Sequence, residues 1–138
     1  MSEENVEIVR DLIEAFQRRD HERAFDFYDP EIEWDSTGME ETIPDIAGVY
    51  RGHEGVRAFW RRWLSSWKDI EFEIEDLRDA GDDVVALISN QRQWGRHSGI
   101  ATELPPWGMV FTFRGGKVVR WRQYPDHESA LEAAGLSA

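Results

Sequence analysis

The chain has 138 residues, a formal net charge of −12 from 28 acidic and 16 basic side chains, and no cysteine. A chain of this length predicts one domain, residues 1–138, with enough residues to bury a sizeable core. The acidic excess argues against nucleic acid and anionic membranes as partners, and the lack of cysteine excludes disulfides and thiolate nucleophiles.

Three helices are predicted in the first half of the chain. Apolar residues recur with the helical period over residues 6–16, and a shorter helix follows Asp20 and stops before Asp29-Pro30. The third helix, after YRGHEG, has one apolar stripe, which comprises Val56, Phe59, Trp60, Trp63, Leu64 and Trp67. Rings at this spacing usually belong to a core, but four of them on one stripe can also cover an apolar cavity.

One short strand, EIEWDS, is predicted before the third helix. Ile32 and Trp34 point to one side of it and Asp35 to the other, unless a bulge changes that parity. Residues 37–52 lack a clear period and predict a loop with a helical turn near Met39.

Strands dominate the second half of the chain. DIEFEIEDL alternates strictly, which predicts a strand with one solvated face. VVALISNQRQWG is apolar at its start and polar at its end, so we expect its far half to leave the core for an edge or an opening. Pro105 and Pro106 must lie at an edge or a bulge, because neither donates a ladder hydrogen bond. A last helix is predicted between Asp126 and Gly135.

The stretch WGMVFTFRGGKVVRWRQYPD carries the strongest hairpin signal in the chain. A two-residue turn at Gly115-Gly116 sets Phe111 opposite Arg120, whereas a three-residue loop over 114–116 sets it opposite Val119. We predict the three-residue loop, because only that register gives one consistently apolar face. The predicted face comprises Trp107, Met109, Phe111, Phe113, Val119, Trp121 and, at its polar end, Gln123.

The order of these elements predicts the α+β class. Helices grouped before a long antiparallel run indicate a cone-shaped, curved antiparallel sheet, a cystatin-like roll, with helices packed on its concave face. A curved sheet that helices close on one side encloses a cavity.

Three stretches of the chain resemble the nuclear-transport-factor-2-like superfamily and, within it, the SnoaL-like branch. They are AFDFYDPEIEWDS, YRGHEGVRAFWRRW and FRGGKVVRWRQYPDHESALEAAGL, and the resemblance extends over nearly the whole chain. It implies the cone-shaped fold, with ketosteroid isomerases and polyketide cyclases among the relatives. It does not specify one function, because this superfamily includes enzymes, ligand binders and assembly modules.

The resemblance to ketosteroid isomerases suggests Asp35 as an acid/base residue, since their catalytic carboxylate follows the first strand. Their oxyanion hole uses a tyrosine on the first helix and a protonated aspartate on the penultimate strand. Those positions correspond here to Leu12 and Met109. An enolate would lack its stabilising donors, so steroid isomerase activity is not expected.

The resemblance to SnoaL-like polyketide cyclases suggests Asp126 as a second acid/base candidate, after the last strand. The alternative is that Asp126 only caps the following helix, which this pattern favours. Limonene epoxide hydrolases share the pattern WR.Y.D at 121–126, but they need another aspartate beside an arginine. This chain has Arg92 and then Trp94 there, so the two-carboxylate arrangement is incomplete.

Aromatic residues on strands around the cone predict a cavity that suits a flat apolar ligand with one polar edge. The polar edge would meet Gln123, Asp35 or Tyr50. The candidate catalytic residues are therefore Asp35 and Asp126. The candidate ligand-binding residues are Trp34, Tyr50, Trp60, Trp63, Trp94, Trp107, Met109, Trp121 and Gln123.

We expect no cofactor and no metal. The four histidines lack the close spacing of a metal site and suit surface turns and helix starts, at positions His21, His53, His97 and His127. The expected partners are a small apolar or aromatic molecule and a second copy, because the family resemblance implies a homodimer and Val110 and Val118 are predicted to be exposed on the outer face. A soluble, cytoplasmic protein is expected, since neither a signal peptide nor a membrane-spanning apolar run is visible.

Two functions remain open from the sequence. One is a cofactor-free isomerase, cyclase or hydratase that uses Asp35 or Asp126 on a small polycyclic or aromatic compound. The other is a non-catalytic ligand-binding or dimerisation module, in which the aromatic cone holds a ligand or is filled by its own side chains. The carboxylates favour the enzyme, and Leu12 and Met109 favour the binder.

Overall fold

A computed structural model describes residues 2–41 and 43–136, with the side chain of residue 2 left out. The described residues form four α-helices and seven strands. They are α1 (Ser2–Gln17), α2 (His21–Ala24), β1 (Tyr28–Asp35), β2 (Val49–Arg51), α3 (Gly52–Ser66), β3 (Trp67–Ala80), β4 (Asp83–Gly95), β5 (Ala101–Leu104), β6 (Trp107–Arg114), β7 (Lys117–Tyr124) and α4 (His127–Ala133).

The seven strands form one curved sheet, and the predicted α+β class is confirmed. The strand order is β2-β1-β7-β6-β4-β3, and β5 pairs with β4. Neighbouring strands are antiparallel except β1 and β7, which run parallel, so the sheet is mixed rather than wholly antiparallel. The parallel pair sets Trp34 of β1 beside Trp121 of β7.

The main core lies between the inner face of the sheet and helices α1 and α3. Val9, Leu12 and Ile13 of α1 bury the apolar stripe that the sequence predicts, and Val56, Phe59 and Trp63 do the same for α3. On β3 the alternating residues Ile70, Phe72 and Ile74 pack against this core, while the intervening glutamates face solvent.

The short helix α4 lies on the outer face of the sheet. It buries a second, smaller cluster formed by Val85, Leu87, Val110, Ala130 and Leu131. The prediction that Val110 and Val118 are exposed is therefore wrong, because α4 covers Val110 and Val118 belongs to the main core. The exposure of these two valines therefore no longer supports a homodimer. The homodimer stays a prediction, which light scattering on the purified protein can test.

The β6–β7 hairpin has a two-residue turn, and the predicted three-residue loop is wrong. Arg114 pairs with Lys117 around Gly115-Gly116, both of which adopt positive φ. The register then shifts by one residue between Thr112 and Phe113, so that Val119 forms a bulge. The bulge restores the apolar face, with Val118 replacing Val119 in the core.

A second bulge interrupts β4. Glu73 pairs with Asn90 and the next residue, Ile74, pairs with Ile88, so that Ser89 is the extra residue. Even-numbered residues of β4 face the main core before the bulge and odd-numbered residues face it afterwards. Past the bulge, β4 pairs with β5 instead of β6, and Pro105-Pro106 lies between these two strands, where no ladder hydrogen bond is required of either residue.

The predicted loop over 37–52 contains more structure than expected. A 3₁₀ turn, Thr37–Met39, corresponds to the predicted helical turn, and Val49–Arg51 adds strand β2 to the sheet edge. No helix in the described ranges has the length and hydropathy that crossing a membrane requires.

Candidate ligand-binding cavity

A cavity of about 130 Å³ lies between the inner face of the sheet and helices α1 and α3. Its wall is mainly apolar, with Ile13, Phe16, Trp34, Met39, Ile43, Phe59, Trp60, Trp63, Leu64, Ile70, Phe72, Leu104, Trp107, Met109 and Trp121. The polar members are Arg19, His21, Lys68, Asp69, Gln91, Gln93 and Gln123. A few polar groups in an apolar wall are the ordinary composition of a small-molecule site.

Packed aromatic rings form one side of the wall. The rings of Trp34 and Trp121 lie 3.9 Å apart between centroids, because their strands pair in register. Phe16 contacts Trp121 and Trp60 from helix α1, with centroid distances of 5.5 Å to each. Both tryptophans of the strand pair are nearly fully buried, so this side of the cavity is rigid.

Two glutamines of β4 form a directed hydrogen-bond chain in the wall. The indole Nε1 of Trp107 donates to Gln91 Oε1 at 3.0 Å, and Gln91 Nε2 donates to Gln93 Oε1 at 3.0 Å. The direction is fixed, because an indole N–H can only donate. Gln93 therefore presents its amide Nε2 as the free end of the chain, and its side chain is only 1% exposed.

Five buried polar atoms in the wall have no hydrogen-bond partner within residues 2–41 and 43–136. We call them the unpaired set, which comprises His21 Nδ1, Trp34 Nε1, Gln93 Nε2, Trp121 Nε1 and Gln123 Oε1. A buried donor or acceptor without a partner costs about 1–3 kcal/mol, so proteins rarely keep several of them together. The set therefore marks this wall as the place where hydrogen-bonding capacity is left unused.

The His21 side chain lies at the border of the cavity. Its ring packs against Phe16 at 5.8 Å and Trp60 at 5.3 Å between centroids. Burial lowers the pKa of His21 below its ordinary value of 6.5, and the nearby Arg19 charge adds to this effect, while Asp20 opposes it. The imidazole is consequently neutral at physiological pH.

Charged residues surround the mouth of the cavity. Arg19 adopts a left-handed φ of 61° in the turn between α1 and α2, and its guanidinium forms an ion pair with Asp69 of β3. The hydrogen bond from Arg19 lowers the pKa of the Asp69 carboxyl. Asp69 is the one carboxylate that the described residues bring to the wall, and it is held ionised and paired.

Seven of the predicted ligand-binding residues lie in the wall, namely Trp34, Trp60, Trp63, Trp107, Met109, Trp121 and Gln123. Two others lie elsewhere. Tyr50 packs behind Phe59, and its hydroxyl donates to the Ile46 carbonyl oxygen. Trp94 points to the opposite side of β4, because the bulge at Ser89 turns Gln93 inward instead.

The structure does not bring Asp35 into the cavity. Trp34 takes the inward position on β1, and Asp35 lies on the other side, as its parity predicts. Its carboxylate Oδ1 accepts hydrogen bonds from Thr37 N at 3.0 Å and Thr37 Oγ1 at 2.6 Å. Asp35 therefore closes the turn after β1 and lies outside the cavity wall, although the sequence predicts a catalytic role for it there.

Asp126 also lies outside the cavity wall. It is the N-cap of α4, where its Oδ1 accepts a hydrogen bond from Ser129 N at 2.7 Å. This backbone hydrogen bond, together with the Ser129 side chain, lowers the pKa of Asp126. The capping alternative accounts for Asp126 without any chemistry.

Sequence reasoning missed His21, Gln91 and Gln93 as wall residues. The polar end of β4 indicated an opening, but the bulge that selects the glutamines has no signature in the hydrophobic pattern. His21 was assigned to a helix start, which is correct, and its inward ring follows from packing against Phe16 and Trp60. Within the described ranges, no three His, Asp or Glu side chains come together as a metal site.

The family described as a SnoaL-like domain matches residues 9–121. No curated protein matches the chain. Among solved structures, an NTF2-like protein of unknown function from Burkholderia pseudomallei is 25% identical, with a TM-score of 0.78 and coverage of 96% of this chain and 97% of that one. An NTF2-like protein from Burkholderia xenovorans is 27% identical, with a TM-score of 0.74 and 97% of each chain covered.

A third solved structure, TerC co-crystallised with polyporic acid, shares the fold. It is 22% identical, with a TM-score of 0.76 and coverage of 96% of this chain and 98% of TerC. These alignments extend over nearly the full length of each chain, so the fold is shared as a whole.

Proposed function

Given that the chain belongs to the SnoaL-like domain family, we propose that its cavity binds a small, uncharged and mainly apolar ring compound without carboxylate acid–base chemistry. The observation that carries this proposal is the unpaired set in an aromatic wall. An apolar ring would fill the space between the aromatic side chains, and its polar substituents would supply the missing hydrogen bonds.

The volume of the cavity limits the size of the ligand. A cavity of roughly 150 Å³ in another protein holds benzene, and this cavity measures about 130 Å³. The space therefore suits one aromatic ring with a small substituent. Of the polycyclic or aromatic compounds expected from the sequence, this size favours a single-ring aromatic compound, because a polycyclic one would require the aromatic wall to move.

The polar atoms of the wall limit the chemistry of the ligand. Gln93 Nε2, Trp34 Nε1 and Trp121 Nε1 are donors, and Gln123 Oε1 is an acceptor. A carbonyl or hydroxyl oxygen on the ring would accept from the donors. A charged group is disfavoured in the interior, because its desolvation is compensated only by a partner of opposite charge.

The carboxylates favour binding over catalysis. Asp35 and Asp126 are engaged in a turn and a helix cap, and Asp69 is paired with Arg19. The carboxyls of Asp69 and Asp126 have lowered pKa values, which makes these two residues weak proton acceptors. The co-crystallisation of TerC with polyporic acid supports a search among organic compounds for the ligand of this similar fold.

Binding can be tested with the compounds toluene, phenol and benzaldehyde, and with a steroid as an oversized control. Five tryptophans line the cavity, so intrinsic fluorescence reports its occupancy. Isothermal calorimetry measures the binding heat independently. We expect the single-ring compounds to bind and the steroid to fail. If the folded protein gives neither a fluorescence change nor a binding heat with any of the three, the proposal is wrong.

A substitution at Gln93 tests the polar contact. In Gln93→Met, benzaldehyde loses the donor to its carbonyl oxygen, so its affinity should fall by about three- to tenfold. The variant also removes the acceptor of Gln91 Nε2, but toluene uses neither group and should bind as before. The matched control is Gln17→Met, which changes an exposed glutamine outside the wall. Equal loss of toluene and benzaldehyde would indicate a general distortion of the cavity instead.

A further inference from the structure

The His21 ring lies in the cavity wall and is partly exposed to solvent. The side chain is half-buried, and Nδ1 is its buried nitrogen, with no partner in the part of the chain that the structure describes. The Asp20 side chain caps α2 by accepting a hydrogen bond from Arg23 N at 3.2 Å, which starts the helix at His21. Phe16 and Trp60 then hold the ring from two helices.

The position of the imidazole proton follows from this burial. Burial lowers the pKa of His21, so the ring is neutral and carries one proton on one of its two nitrogens. Among buried backbone groups, an N–H without an acceptor is rarer than an under-used carbonyl oxygen, and we apply the same preference to the imidazole. The proton therefore belongs on Nε2, and Nδ1 presents a lone pair.

We propose that His21 Nδ1 accepts a hydrogen bond from a hydroxyl group of the bound compound and so selects a phenol-type ring. The inference rests on the proposed binding function and adds the class of ligand. Gln123 Oε1 is a second buried acceptor in the same wall, and one hydroxyl proton serves only one of the two acceptors. The hydroxyl oxygen still accepts from the amide or indole donors, which an apolar substituent cannot do.

Phenol and toluene are the probes for this proposal, because they differ mainly in a hydroxyl against a methyl group. Calorimetry should show that His21→Phe weakens phenol by about three- to tenfold and leaves toluene and benzaldehyde unchanged. The matched control, His97→Phe, alters an exposed histidine outside the wall and should change none of the three affinities.

A second measurement needs no variant. The ¹⁵N NMR shifts of His21 in the wild-type protein report which nitrogen carries the proton and whether Nδ1 accepts a hydrogen bond. Saturation with phenol should shift the Nδ1 signal, whereas saturation with toluene should not.

The outcomes separate this inference from the proposed function. Binding of toluene and phenol with no His21 shift, or with equal losses in His21→Phe, would overturn the role of His21 and leave the cavity as a binding site. Failure of all the single-ring probes to bind would overturn both.

Discussion

The two faces of the sheet differ in how many of their buried polar groups have hydrogen-bond partners. On the outer face, His127 Nε2 contacts the Ile88 carbonyl oxygen at 2.8 Å and Thr112 Oγ1 donates to Asp83 at 2.7 Å, while Arg122 Nε lacks a partner among the described residues. On the inner face, the unpaired set lies in an aromatic wall around open space. Buried polar atoms without a partner are therefore concentrated on the inner face, around the cavity, and are rarer on the outer face.

This difference separates stability from function. Apolar packing under α4 contributes free energy of folding, whereas each unpaired atom in the cavity wall reduces it as long as that atom has no partner. Natural proteins keep such costs mainly where a function requires them. Substitutions in the two regions should consequently have effects of different size and sign.

The largest effect is expected from Leu131→Ala on the outer face. Leu131 is 4% exposed in the α4 cluster, and truncating a buried leucine costs about 2–5 kcal/mol. Leu64 at the cavity wall is 37% exposed, so Leu64→Ala should cost about 1 kcal/mol or less. Urea unfolding of both variants measures the difference, and equal losses would contradict the distinction between the two regions.

Substitutions at two glutamines of the cavity should change the stability of the protein in opposite directions. Gln91→Met breaks two hydrogen bonds, with Trp107 and Gln93, and should destabilise the protein by about 1–3 kcal/mol. Gln123→Met removes an unpaired acceptor and should stabilise the empty protein by about 1 kcal/mol. Thermal unfolding without ligand compares them, and a loss of stability in Gln123→Met would indicate a missed partner for its Oε1.

A smaller effect is expected at the helix cap. Asp126→Ala should cost about 0.5–2 kcal/mol, while Asp126→Asn keeps most of the stability because its side-chain oxygen still accepts from Ser129 N. The lowered pKa of Asp126 means that its contribution is present above the ordinary value of 3.8 and is lost as the pH falls below it. Neither variant should alter toluene binding. A loss of binding would show that Asp126 contributes to the binding site after all.

The smallest effect concerns the pH dependence of stability through His21. Its pKa is lowered on folding, so below the ordinary value of 6.5 the unfolded chain binds more protons than the folded one. Stability should therefore decrease as the pH falls from 6.5 towards the lowered pKa. Unfolding of wild type and His21→Phe at several pH values isolates the contribution of His21 to the pH dependence of stability, because His21→Phe retains every other titrating group. An identical slope in the two proteins would show that His21 is not desolvated.

Much of the fold could be predicted from the sequence. The helix stripe from Val56 to Trp63 and the alternation in β3 follow periods of 3.6 and 2 that burial imposes. The parallel contact between β1 and β7 could not be derived from such patterns, because it joins strands that are distant in the chain. The predicted hairpin register is wrong because a two-residue turn followed by a bulge at Val119 also gives an apolar face. On that face Val118 takes the place of Val119.

The cavity was predicted less completely than the fold. Trp34, Trp107 and Trp121 could be identified from strand parity, which local sequence determines. Gln91 and Gln93 depend on the extra residue Ser89, and one inserted residue reverses which side chains face inward. The inward orientation of His21 depends on tertiary packing, which no local pattern encodes.

The tilted pair of Trp34 and Trp121 also provides a spectroscopic probe of folding. Their strands come from opposite ends of the sequence, so their contact forms only after a long loop has closed, which is a slow, high-contact-order event. Two indoles 3.9 Å apart should couple their electronic transitions and give an exciton couplet in circular dichroism. The appearance of that couplet during refolding would mark the moment when β1 docks on β7 and the cavity acquires its rigid side.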